Sequence, residues 1–105
     1  MIGSSAEDTR KFLAFKLGEG EFGADVMWIK EISRMKETTR VPTAPSFVEG
    51  VINLRGTVTQ ILDLRKRLDM EPKGPDSETR IVIAERGEHY IAMVVDTVTD
   101  VLEIP

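Results

Sequence analysis

Cysteine is absent from this chain, so neither a disulfide framework nor thiolate chemistry is open to it, which fits a reducing cytosol. Histidine occurs once, at His89, with no second His or Cys to complete a zinc site. Aromatic residues make up only 6% of the chain, and none interleave with Lys or Arg in the stripe that stacks nucleobases. A basic excess is missing as well. The net charge of -4 has the wrong sign for a binder of phosphate backbones. No apolar run is long enough to span a bilayer, and residues 1–9 lack the basic and apolar regions of a secretory signal, reading instead as a frayed tail. Walker, nucleophile-elbow and dinucleotide glycine motifs are also missing. These absences argue against an enzyme, a nucleic-acid binder or a protein inserted in a membrane, and no metal or cofactor is expected.

What the chain does have is apolar sequence in short pieces. Its 105 residues, 41% hydrophobic and 30% charged, suit one compact unit with a real core. The strongest piece runs from Phe47 to Leu64 and reads as two strands folded back through Arg55-Gly56. Apolar residues on both parities of these arms suggest strands covered on both faces. Phe12–Leu17 and Phe22–Val26 form a second hairpin around the glycines of Gly18-Glu-Gly-Glu21. Asp25 then suits the N-cap of a short helix reaching about Ser33, because Val26, Ile29 and Ile32 recur near helical spacing. Met35–Val41 reads as a polar strand, and Pro42 to Pro45 as a rigid loop. Asp63 caps a helical turn over Leu64–Leu68 whose three cations are most simply a solvated face. Residues 69–78 form a loop. Thr79–Glu85 and His89–Val95 make a third hairpin, and a last strand follows with Val98, Val101 or Leu102, and Ile104 inward. About eight short strands joined by tight turns indicate an all-β barrel or sandwich.

Few residues here carry chemistry. Asp96 and Asp100 stand four apart in a strand-like context, which does not present a catalytic carboxylate pair, and more simply cap turns. A small hydrolase using Asp96, Asp100 and His89 is the remaining enzyme alternative. The residues alone support a soluble all-β binding domain.

A specific resemblance goes further. Phe12-Leu-Ala-Phe-Lys-Leu-Gly18, Phe22-Gly-Ala-Asp-Val26, Ile29-Lys-Glu-Ile32, Val41-Pro-Thr-Ala-Pro45 and above all Phe47-Val-Glu-Gly-Val-Ile-Asn-Leu-Arg-Gly56 follow one another as in the CheW family. Ile61-Leu-Asp-Leu-Arg65 and Met93-Val-Val-Asp-Thr-Val-Thr-Asp-Val-Leu102 continue the match, which covers about Arg10 to Pro105. The resemblance implies a non-enzymatic, cytoplasmic coupling scaffold of bacterial chemotaxis, recruited to receptor arrays, where it links the helical tips of chemoreceptors to a histidine kinase. A CheW-like regulatory domain cut from the kinase, or from a fusion with a receiver, is the alternative. The implied fold is a single domain, residues 1–105, of two small five-stranded SH3-like barrels, one from about 10–34 with 96–105 and the other from about 35–95.

By the same resemblance the receptor-facing residues are Ile29 and Glu31 in the short helix, Arg55, Val98 and Val101, with Glu31 and Arg55 forming an ion pair. Gly50 and Gly56 match positions linked to kinase association, and both also read as glycines needed for tight backbone geometry. The sequence ends at Ile104-Pro105, where the family continues through further strands. The resemblance therefore implies a truncation, natural or engineered, that leaves the first barrel incomplete, with free strand edges that invite self-association or strand swapping.

Overall fold

The computed structural model describes residues 10–104, so the stretch read above as a tail, and the inward role expected of the Ile104 side chain, lie outside the described residues. The chain order is β1 (Arg10–Leu17), β2 (Gly20–Asp25), a 3₁₀ turn (Val26–Trp28), β3 (Ile29–Arg34), β4 (Val48–Leu54), β5 (Thr57–Asp63), α1 (Leu64–Arg67), β6 (Arg80–Arg86), β7 (His89–Val95) and β8 (Thr97–Ile104). Two sheets result: a three-stranded one in the order β2-β1-β8 and a five-stranded one in the order β3-β6-β7-β5-β4. The five-stranded sheet curls until its two ends meet. Thr39, on the segment leaving β3, bridges to Val51 of β4 through N–H to carbonyl bonds of 3.0 and 2.9 Å.

Turn chemistry builds the central hairpin. Arg55 (φ 52°) and Gly56 (φ 85°) both take positive φ, the two-residue turn whose twist matches that of paired strands. The Asn53 carboxamide accepts from the Gly56 N–H at 2.8 Å and holds the turn closed. Asp63 does cap α1, accepting from the Lys66 N–H.

Two of the expected elements differ. Asp25 caps only the three-residue turn, its carboxylate accepting from the Met27 N–H, and the helix expected to reach Ser33 is instead strand β3. Ile29, Glu31 and Ser33 alternate half-buried with exposed Lys30, Ile32 and Arg34, and pairing with β6 satisfies a backbone that one short helical turn would leave open. Residues 29–34, grouped above with the first barrel, therefore hydrogen-bond into the five-stranded sheet. Met35–Val41 is not a strand, because only Thr39 there bridges to a neighbouring strand, the Val41 carbonyl merely accepting from the Ala44 N–H in the following turn. Eight strands are present among the described residues, but one of them stands where a helix was expected.

The core has two compartments. Ile52, Leu54, Ile61, Ile81, Ile83 and Ala92 fill the inside of the curled sheet. Leu13, Phe15 and Leu17 of β1 pack on Val82 and Val95, from the outer face of that sheet, and so weld the two sheets together. No helix among the described residues is long and apolar enough to cross a membrane.

Candidate functional site

Side chains alternate along a strand, so strand register decides which residues meet at the seam between the sheets. On β8, Val98 lies opposite Phe15 and Val101 opposite Leu13, which puts both valines on the face turned toward the five-stranded sheet. Across the seam, Ile29 pairs with Ala84 and Ala84 with Ile91. Ile29 and Val98 are half-buried against the seam core, whereas Val101 and Ile91 are about half exposed, at 51% and 47%. The seam thus opens at one end into an apolar cleft, with Val98 and Val101 on one lip and Ile29, Ala84 and Ile91 on the other. Trp28 continues the second lip in a shallow hollow with Ala84, Glu85, Arg86 and Ile91. There the Arg86 guanidinium sits 5.4 Å above the Trp28 ring, a cation–π contact. The sequence reading gave Trp28 only a place in the apolar stripe of the expected helix, and assigned none of Trp28, Ala84 and Ile91 to a site; the alternation of Ile91 with buried Ala92 along β7 is the signal that could have found Ile91.

Glu31 and Arg55 do come together. The Arg55 Nη2 lies 3.2 Å from Glu31 Oε1, joining the β4–β5 turn to β3. That oxygen is sealed from solvent and accepts no aligned hydrogen bond, so charge attraction alone offsets its desolvation. Arg55 keeps 62% of its side-chain surface exposed, which answers how a cation survives beside the greasy hairpin. Glu31 and Ile29 act from a strand, not from the helix expected for them, and because β3 is bulged between them Ile29 lies opposite Ala84 while Glu31 lies opposite Ile83, on different faces of the sheet.

Gly50 and Gly56 stand in different situations. Gly50 is buried in β4, and a Cβ there would lie 2.7 Å from the Thr39 carbonyl oxygen and 2.9 Å from the Thr38 side chain. Gly56 is open to solvent in the turn, with nothing within 4 Å of a Cβ.

The closed end of the seam carries a polar cluster that the sequence reading missed. Arg65 of α1 grips Asp96 with two nitrogens, Nε to Oδ1 at 2.7 Å and Nη2 to Oδ2, and both side chains keep only 15% of their surface. The Gly18 N–H, from the β1–β2 turn, donates to the same carboxylate at 2.7 Å, and the Asp96 N–H donates to the Lys16 carbonyl. The hydrogen bonds from Arg65 and Gly18 hold the Asp96 carboxyl below its ordinary range against the opposing pull of burial, and the same bond raises the Arg65 pKa. Arg65 is therefore no part of a solvated face, and Asp96 does more than cap a turn.

The hydrolase alternative finds no assembled site. His89 begins β7 and Asp96 follows its last residue, so a strand of roughly 20 Å separates them. Asp96 is consumed by Arg65 and Gly18, while Asp100 accepts from the neighbouring Val101 N–H on β8. No group of three or more His, Cys, Asp or Glu able to hold a metal ion occurs among the described residues.

Comparison with known proteins agrees with this architecture. The family model described as CheW-like domain matches residues 11–105. A probable chemotaxis protein CheW from Rhizobium etli is 35% identical over 103 residues, covering 98% of this chain and 66% of the relative. The chemotaxis protein CheW of Klebsiella aerogenes is 36% identical over 95 residues, covering 90% and 57%. The crystal structure of the scaffolding protein TtCheW from Thermoanaerobacter tengcongensis superposes with a TM-score of 0.85 at 34% identity, covering 90% of this chain and 65% of that one. The chain thus spans somewhat less than two thirds of the length of the relatives it matches. With the matched residues running through both sheets and both lips of the cleft, the chain belongs to the CheW-like domain family.

Proposed function

We propose that this chain is a non-enzymatic coupling scaffold of bacterial chemotaxis, working in the cytoplasm at receptor arrays and joining chemoreceptor tips to the chemotaxis histidine kinase. The observation that carries this reading is the apolar cleft between the two sheets, in a chain of the CheW-like domain family. Such a cleft suits the apolar face of a receptor's helical hairpin, with anchors entering the groove and flanking charges setting register. Ile29, Val98 and Val101 supply the apolar contacts, and the Glu31–Arg55 pair stands at the charged edge. The kinase regulatory domain would meet the other region, around Gly50 and Gly56 on β4 and its turn.

The test is capture of a receptor cytoplasmic fragment and, separately, of the kinase regulatory domain. Arg55→Glu and Glu31→Arg should each weaken receptor capture about threefold, a small effect because Arg55 keeps 62% of its side chain in solvent, which screens its charge. The double exchange should recover most of the loss, and kinase capture should hold steady throughout. Additive losses in the double variant would reject the pair as a working unit. Failure of the unmodified chain to capture either partner would reject the coupling role.

The edges of the smaller sheet lead to a second expectation. Neither the outer side of β2 nor that of β8 has a strand partner among the described residues, and the outer face between them is an open apolar hollow of Phe12, Ala14 and Leu102. Glu21 and Asp25 line one edge, Asp100 and Glu103 the other. These 105 residues on their own should self-associate or swap strands, more strongly at high salt, where like charges are screened. Light scattering that finds one concentration-independent monomer at both low and high salt would refute this.

A further inference from the structure

Among the described residues, every side-chain hydrogen bond that links the two sheets passes through Asp96. Its carboxylate holds Gly18, in the turn of the three-stranded sheet, and Arg65, on the helix that follows β5 of the other. Arg65 is itself braced, donating from Nη1 to the Glu71 carbonyl at 2.8 Å while its own carbonyl accepts from the Met70 N–H at 2.7 Å. Gly18 is fitted to the contact: it takes a φ of 61°, and a Cβ there would stand 3.2 Å from Met70. The rest of the seam is apolar packing, which opposes separation of the sheets but is weakly directional. Hydrogen bonds to a charged group are directional.

This cluster and the cleft lie at opposite ends of one seam. On β1, Lys16 and Leu17 stand at the Asp96 end, while Leu13, opposite Val101, stands at the cleft. Val101 comes five residues after Asp96, about 16 Å along extended β8. A rotation of the sheets by about 10° at Asp96 would therefore move that lip by about 3 Å. That is comparable to the difference between seating and refusing a side chain in a packed groove.

We propose that Asp96 is a positioning residue for partner binding: by gripping Arg65 of one sheet and Gly18 of the other, it sets the angle between the sheets and hence the width of the apolar cleft. The link to binding rests on the cleft being the receptor groove, whereas the control of the angle does not.

The absence of native cysteine makes the angle measurable. Spin labels at Glu21→Cys on β2 and Gln60→Cys on β5, both exposed, report one distance from each sheet to the other by pulsed electron resonance. The parent should give a single narrow distribution. Asp96→Ala should broaden it or shift it by a few ångströms under conditions where circular dichroism shows the chain folded, a change that a merely stabilising contact would not produce. Should Asp96→Ala fail to fold, Arg65→Lys, which keeps the charge but loses the two-pronged grip, should broaden the distribution in its place. An unchanged distribution in the folded variant would overturn the proposal. In parallel, Asp96→Asn should weaken capture of a receptor cytoplasmic fragment about tenfold and leave kinase-domain capture within about twofold. Unchanged receptor capture with an altered distribution would refute the role in binding. If the parent captures neither partner while the distribution still responds to Asp96, it is the coupling role that fails and the angle control that stands.

Discussion

Replacing Gly50 by alanine should lower the stability of this domain by about 3 kcal/mol, seen as a fall of roughly 15 °C in melting temperature. The reason is steric and local. The segment after β3 crosses β4 so closely that an added methyl would meet the Thr39 carbonyl oxygen at 2.7 Å and the Thr38 Cβ and Oγ1 at 2.9 Å. Only the Thr38 Oγ1 can swing away by side-chain rotation; the Thr38 Cβ is set by its backbone, and the carbonyl is fixed by its own bond to the Val51 N–H at 2.9 Å. Either the methyl is accommodated by strain or the Thr39–Val51 bridge opens, and the bridge is what joins the two ends of the curled sheet. Gly56→Ala is the control. It creates no clash, and its cost of about 1 kcal/mol comes only from forcing a side chain to positive φ. Calorimetry of both variants decides the matter, and equal losses would show that Gly50 is not held by its neighbours. A kinase-capture defect in Gly50→Ala would then have to be measured on the folded fraction alone, since the substitution displaces the very surface whose contacts are in question.

Gly50 also marks the limit of what the amino-acid order discloses. That a glycine in Phe47–Gly56 mattered could be read from the resemblance; that it matters because residues 38–39 pass over it could not, since nothing near Gly50 in sequence encodes that crossing. The elements read correctly are those whose cause is local. Arg55-Gly56 closes a hairpin through its own φ angles, and Asp63 caps the turn that immediately follows it. β3 was misread because its residues satisfy two periods at once. Val26, Ile29 and Ile32 fit a helix, while Ile29, Glu31 and Ser33 fit a strand, and only pairing with β6, some fifty residues on, chooses between them. Ile32, placed inward by the helical period, is 41% exposed. Arg65 was grouped with two neighbouring cations for the same reason: its partner lies 31 residues away. The ion pair of Glu31 with Arg55 was legible only through the family resemblance, because no periodicity or spacing ties those two positions.

Asp96→Ala should destabilise the domain by about 3 kcal/mol at neutral pH, and most of that difference should vanish in acid. Removing the carboxylate strands the Arg65 guanidinium at a site where it keeps only 15% of its side-chain surface, and leaves the Gly18 N–H without its acceptor. Because the pair retains some contact with water, the loss should fall at the low end of what a fully buried pair would cost. The pH dependence follows from the direction of the shift. Arg65, and then Gly18, hold the folded-state Asp96 pKa below the ordinary 3.8, although burial works the other way. A carboxyl depressed on folding contributes its stability above the unfolded pKa, and loses it as pH falls through the folded one. The parent's advantage over Asp96→Ala should therefore be complete at pH 6, begin to shrink below about pH 4, and continue shrinking at lower pH. The Arg65 shift adds nothing in this window, because a guanidinium whose pKa the Asp96 hydrogen bond raises further stays charged at every pH the domain would meet. Asp76, held down by Lys73 and the Glu78 N–H, also titrates in acid, but it does so in both proteins and cancels from the difference. Urea denaturation of the pair at pH 7 and pH 3 reads that difference directly. A gap of the same size at both values would mean that Asp96 stabilises through packing, and that its charge does not hold the two sheets together.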